Sequence, residues 1–232
     1  MHTTSPVESS VTDQSSAQRF FQRKLGWWLL LFLPLAAAAV HFLHLLSVDR
    51  EWMYAAGFPP SLPLSPAFRA ELVGKMVSAS LGFQFLKQAF WPILLLLVET
   101  LMLAALTVAV AQLFNVGTKI RHFFLLALWS KATYLLTVSI ILVRLLLQDF
   151  PTRIMTHDLD ILSWQSLLGS PHPDYLQFFT SYHGPMVFVS IGVLAYGFRQ
   201  LTGRSWLQSI VFGVIPYAIV SGVLFYIFAR VF

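Results

Sequence analysis

The sequence predicts an all-α membrane protein: a polytopic helical bundle of five transmembrane helices with an amphipathic helix on its outer side. Three observations carry this. Of 232 residues, 57% are hydrophobic and 11% are charged, whereas soluble domains are about half apolar and a quarter charged. Five apolar stretches reach the roughly 20 residues needed to cross a bilayer. Basic residues gather in short segments between some of these stretches, and acidic residues sit in the longer segments between the others.

Residues 1–18, MHTTSPVESSVTDQSSAQ, are polar and rich in Ser and Thr. That composition predicts a disordered cytoplasmic tail. No cleavable leader precedes the first apolar run, and His2 stands where N-myristoylation needs glycine. Residues 19–232 then form one membrane domain.

The first span is 25–46, LGWWLLLFLPLAAAAVHFLHLL. Pro34 predicts a bend, and Ala36–Ala39 permit close helix approach, which favours core packing over a seat for a partner helix. After it, Ser65-Pro66 is a helix-start signal. Phe68, Leu72, Met76, Ala79, Phe83 and Leu86 then recur at helical spacing. This predicts one amphipathic helix, either lying on the outer leaflet or leading into the second span, or packed on the bundle. The second span is 90–114 and the third 123–147. In the next segment, THDLDILSWQSLLGSP predicts a short helix from Asp158 to Leu168, stopped by Gly169 and Pro171. The fourth span, 179–201, is interrupted at its start by Ser181, His183, Gly184 and Pro185. The fifth is 206–232.

Positive charge orients the bundle. Arg19, Arg23 and Lys24, then Lys119 and Arg121, then Arg199 and Arg204 lie in short basic segments, which places these in the cytoplasm. The longer segments carry Asp49, Glu51, Glu71, Asp149, Asp158, Asp160 and Asp174. The N-terminus is therefore inside and the C-terminus outside. Trp27, Trp28, Trp91 and Trp206 stand at span ends as interfacial anchors.

A repeat emerges at a shift of 86 residues. QLFNVGTKIRHFFLLALWSKATYLL lies over FRQLTGRSWLQSIVFGVIPYAIVSG, matching Gly117 to Gly203, Lys119 to Ser205 and Ala132 to Ala218. Each unit is an outgoing helix, a short basic turn and a returning helix broken near its middle. The two hairpins run in parallel, with the first span as a cover. On FNVGTKIRHFFLLALWSKATYLL and GFRQLTGRSWLQSIVFGVIPYAIV, the chain resembles the YIP family of Ypt/Rab-interacting membrane proteins, bacterial type, over roughly Trp91 to Phe232. The resemblance implies a five-span, non-enzymatic protein of the cell inner membrane, with its C-terminus periplasmic. Eukaryotic members act in trafficking through a longer acidic cytoplasmic arm, which this short tail lacks. Some bacterial relatives resemble accessory subunits of ABC-type export pumps, so the resemblance implies a membrane-protein partner in a transporter complex.

Two ionisable residues stand inside spans, Glu99 and Lys131, and such residues raise a functional hypothesis by default. Estimated depths of roughly 13 and 12 Å from opposite faces leave an axial gap of about 5 Å in a 30 Å core. One reading is a self-neutralising ion pair that fixes helix register. A second is a protonated Glu99 with Lys131 snorkelling. A third is a proton or cation relay in a small transporter or channel. Pro216 and Tyr217 occupy the positions matching Ser130 and Lys131, so the charge is not duplicated, which weakens the relay. A lipid-handling role for the outer amphipathic helix is a further alternative.

Arg144 and Arg230 lie near outer span ends, where they are candidates for lipid-headgroup contacts. His41 and His44 share a helical face, while His157, His172 and His183 lie near acidic residues without metal-ligand spacing. No metal, cofactor or catalytic residue is expected. Membrane lipids are expected partners. Nucleic acid is not, because basic residues track span ends rather than forming a patch.

Overall fold

The structure is a computed structural model that describes residues 25–58, 63–116, 119–155, 159–160, 162–168 and 184–231. The expected tail, 1–18, lies outside the described residues. Among those described, the regular elements are helices: α1 (Leu25–Ser47), α2 (Arg50–Ala56), α3 (Pro66–Ser78), α4 (Leu81–Leu113), α5 (Ile120–Lys131), α6 (Thr133–Leu147), α7 (Trp164–Leu168), α8 (Met186–Thr202) and α9 (Trp206–Val231). Four segments are long and apolar enough to cross a membrane: Gly26–Ser47, Leu81–Leu113, Ile120–Leu147 and Trp206–Ile227. The fourth expected span, 179–201, is realised as the shorter apolar helix α8, with 17 residues. Its expected first residues, 179–183, lie outside the described residues.

The region after α1 differs from the single amphipathic helix expected up to Leu86. Ser65 caps α3, its side chain accepting from the Phe68 N–H, but the helix stops at Ser78. Ala79 is extended, and Ser80 caps α4 by accepting from the Phe83 N–H. Gln84 reinforces the corner by donating to the carbonyls of Val77 (3.2 Å) and Ala79 (2.7 Å), groups a helix end otherwise leaves unpaired. The apolar spacing continues through this corner, so periodicity alone did not reveal it. The second span consequently starts at Leu81 rather than 90. At 33 residues, α4 is about 50 Å long.

The C-terminal end of α1 is stitched to the chain that follows α6. A parallel bridge joins Val48 and Thr152. The Asp49 N–H donates to the Thr152 carbonyl and the Thr152 N–H to the Ser47 carbonyl, both at 2.8 Å. Asp49 also caps α2 through the Trp52 N–H (3.1 Å) and pairs with Arg153 at 3.3 Å. His44, fully buried, donates from Nε2 to the Ile154 carbonyl at 2.8 Å.

The core is made by two hairpins, α4–α5 and α8–α9. α5 packs on α8, α4 packs on α9, and α1 covers α4, α5 and α6. The approaches of α8 to α9 and to α5 are close. A Cβ at Gly213 would lie 2.8 Å from the Ile191 carbonyl oxygen, and one at Gly197 would lie 2.1 Å from Leu126 Cδ1. The second turn uses Gly203 at φ 68° as a left-handed cap to α8, its N–H donating to the Arg199 carbonyl. In the first turn, Asn115 takes the left-handed position, at φ 49°. Gly117, the residue matched to Gly203, lies outside the described residues.

Candidate functional site: a buried polar cluster at a helix break

The third span, expected as one helix over 123–147, is broken where its lysine stands. α5 ends at Lys131 and α6 begins at Thr133. The Ala132 N–H is shared between the carbonyls of Leu128 (3.2 Å) and Trp129 (3.1 Å). Ser130 Oγ donates to the Ala127 carbonyl at 2.7 Å, and Thr133 Oγ1 to the Ser130 carbonyl at 2.9 Å. Two hydroxyls, one on either side of the break, thus bond back to backbone carbonyls.

Glu99 faces this break from α4, beside the buried Leu96, Thr100 and Leu103. The structure brings Glu99 and Lys131 together: Lys131 Nζ donates to Glu99 Oε1. Their side chains are only 19% and 11% exposed. In such low-dielectric surroundings an unpaired charge is costly, and each neutralises the other.

Tyr217, on α9, completes the cluster. The Lys131 ammonium lies 5.6 Å from the Tyr217 ring centroid, within cation–π range. The Tyr217 hydroxyl and Ser130 Oγ are 3.2 Å apart. Ser190, from α8, shares a 2.5 Å hydrogen bond with Thr133 Oγ1. The cluster therefore joins α4, α5, α6, α8 and α9 at one level of the bundle. Tyr217 occupies the repeat position that matches Lys131, so the two equivalents meet. Sequence reasoning saw that match but assigned Tyr217 no role; Ser190 and Thr133 carried no pattern to single them out.

Between the cluster and the hairpin turns, four phenylalanines fill the bundle. Phe198 and Phe212 stack at 3.9 Å between centroids, with Phe123 at 6.1 and 5.9 Å and Phe114 at 5.6 and 6.1 Å from them. Phe123 precedes Lys131 by eight residues, about 12 Å along the helix. Phe123, Phe198 and Phe212 are buried, as are Leu103 and Leu126 nearby.

The other candidates lie apart from this cluster. Arg144 donates to the Leu159 carbonyl at 3.2 Å and so holds the outer segment. Arg230 lies over the Tyr226 ring at 5.5 Å. His41 and His44 are both buried near the outer end of α1. His157, His172, His183, Asp158 and Asp174 lie outside the described residues. No group of three or more potential metal ligands occurs among those described. Asp160 is half-buried, and that burial pushes its carboxyl above the usual carboxylate range.

Fold and cluster together define a helical membrane protein whose bundle is joined at its centre by a paired carboxylate and ammonium. No family model, curated protein or solved structure matches the chain.

Proposed function

We propose that the chain is a non-enzymatic accessory or scaffold protein with five spans, N-terminus inside and C-terminus outside, that binds another membrane protein in the cell inner membrane. The partner is a transporter complex, in line with the resemblance to bacterial YIP proteins and their export-pump associates. One observation carries this reading: the buried Lys131 and the largely buried Glu99, deep in the described spans, are closed on each other. Lys131 donates to Glu99, Tyr217 is bound to Ser130, and the phenylalanine group fills the bundle toward the turns. The cluster then acts as a lock that sets helix against helix, leaving the lipid-facing surface as the surface for recognition. A shallow groove of about 610 Å³ beside the helix break, lined by Trp129, Ala132, Thr133, Val189, Gly192 and Tyr196, offers a seat for a partner helix. Purification in mild detergent tests this. A stoichiometric membrane-protein partner is expected, and a clean monomer would count against it.

A second reading, a small transporter or channel, draws on the break at Ala132 beside the pair, because discontinuous helices line many substrate paths. Under it, Glu99→Gln abolishes flux in vesicles while leaving the fold intact. Loss of fold in that variant, with flux unaffected in what remains, supports the lock.

A further inference from the structure

The turn end of the bundle carries positive charge with no described carboxylate to meet it. Lys119 and Arg121 open α5, and Arg199 and Arg204 flank the second turn. The described acids are Asp49, Glu51, Glu71, Glu99, Asp149 and Asp160. All belong to the outer segments except Glu99, which is paired at the centre. Among the described residues, the ion pairs are Lys75–Glu71, Lys131–Glu99 and Arg153–Asp49, and none uses these four bases.

The three arginine side chains are also held in place. The Arg199 guanidinium lies over the Trp206 ring at 4.3 Å. Arg204 Nη2 donates to the Phe114 carbonyl at 3.3 Å, bridging the two turns. Arg121 Nε donates to His122 Nε2 at 3.4 Å. Lys119 caps α5 with no side-chain hydrogen bond. Each guanidinium has five N–H donors, so each keeps donors for an anion. Immediately around these bases the surface is apolar: Leu113 is 81% exposed and Leu207 74%, with Ile120 and Trp206 also exposed. A soluble anion has no use for such surroundings. A phospholipid does, because its phosphate sits directly above acyl chains.

We propose that this end binds the headgroup phosphates of anionic phospholipids through Lys119, Arg121, Arg199 and Arg204. The site lies at the opposite end of the bundle from Arg144, which donates to the Leu159 carbonyl, and Arg230, which lies over the Tyr226 ring. It requires only that the bundle sit in a membrane, and it stands whether or not a protein partner binds.

The test is native mass spectrometry of the full chain, extracted from bilayers of equal phosphatidylglycerol and phosphatidylcholine, counting the lipids retained. Phosphatidylglycerol is expected to be retained at least about tenfold over phosphatidylcholine, since each basic residue near a membrane is worth roughly a fivefold preference. K119Q/R121Q removes two charges without touching the Arg199–Trp206 or Arg204–Phe114 contacts, and should lower the ratio at least about fivefold. R199Q/R204Q should lower it similarly, and R230Q should leave it unchanged. Equal retention of the two lipids by the full chain would overturn the proposal. So would a preference that survives both double variants. Displacement of the lipid by inorganic phosphate would reduce it to a free-anion site.

Discussion

Lys131 and Tyr217, positions that a shift of 86 residues matches in the sequence, meet inside the bundle with the ammonium 5.6 Å from the ring centroid. The asymmetry is chemical. One repeat supplies a cation, and the other supplies an aromatic face and a hydroxyl, so the two halves complement rather than repel each other.

Tyr217→Phe separates the two contacts of that residue. It removes the 3.2 Å contact with Ser130 and keeps the ring under Lys131. A loss of about 0.5–1.5 kcal/mol is expected in detergent unfolding. Tyr217→Leu should cost about 0.5–2 kcal/mol more, as the cation–π contact disappears as well.

The close contact of α8 with α9 predicts a contrast between glycines. Gly213→Ala puts a methyl group against the Ile191 carbonyl and the Ala195 backbone and should lower stability by about 1–3 kcal/mol. Gly192 has open space around its missing Cβ. Gly192→Ala should be neutral, or stabilising by up to about 1 kcal/mol through helix propensity. Thermal unfolding of the two variants side by side checks this. If Gly192→Ala keeps its stability but loses a co-purifying partner, the groove is the docking seat.

Asp49 joins the outer stitch at two points. Asp49→Ala loses the cap on the Trp52 N–H and should cost about 0.5–2 kcal/mol. Arg153→Ala loses only the ion pair, whose arginine side chain is 67% exposed, so a loss of no more than about 1 kcal/mol is expected. Hydrogen exchange across Arg50–Ala56 should rise clearly in the first variant and little in the second.

Asp160 gives the outer segment a pH dependence. Burial raises its carboxyl above the ordinary 3.8, while the Leu162 N–H opposes this more weakly. A raised acid binds its proton more tightly in the folded chain than in the unfolded one. Its contribution is therefore fully favourable below 3.8 and is lost as pH rises through the raised value. Amide protection at Ser163, Ser166 and Leu167, corrected for intrinsic exchange, should fall over that interval. Asp160→Asn should flatten the profile.

Much of the bundle was legible in the sequence because lipid leaves few options: an apolar run must be a helix. That logic found α1, α9 and the combined α5–α6 within a few residues, and the end but not the start of α4. The corner at Ala79–Ser80 depends on Gln84 reaching back to two carbonyls, and the break at Ala132 on hydroxyls of Ser130 and Thr133. Neither changes the apolar spacing, so neither could be read from it. Glu99 and Lys131 stood out as lone charges in apolar runs, and their depths suggested contact. Tyr217, Ser190 and the phenylalanine group are ordinary residues of apolar helices until packing brings them together.

The lock itself is tested most directly by unfolding Glu99→Gln, Lys131→Met and the double variant side by side in one detergent. Each single change strands a buried partner and should cost about 3–5 kcal/mol, whereas the double change removes both charges and should recover most of the loss. Full stability in both single variants, or a double variant no more stable than either, would contradict a helix-pairing role for Glu99 and Lys131.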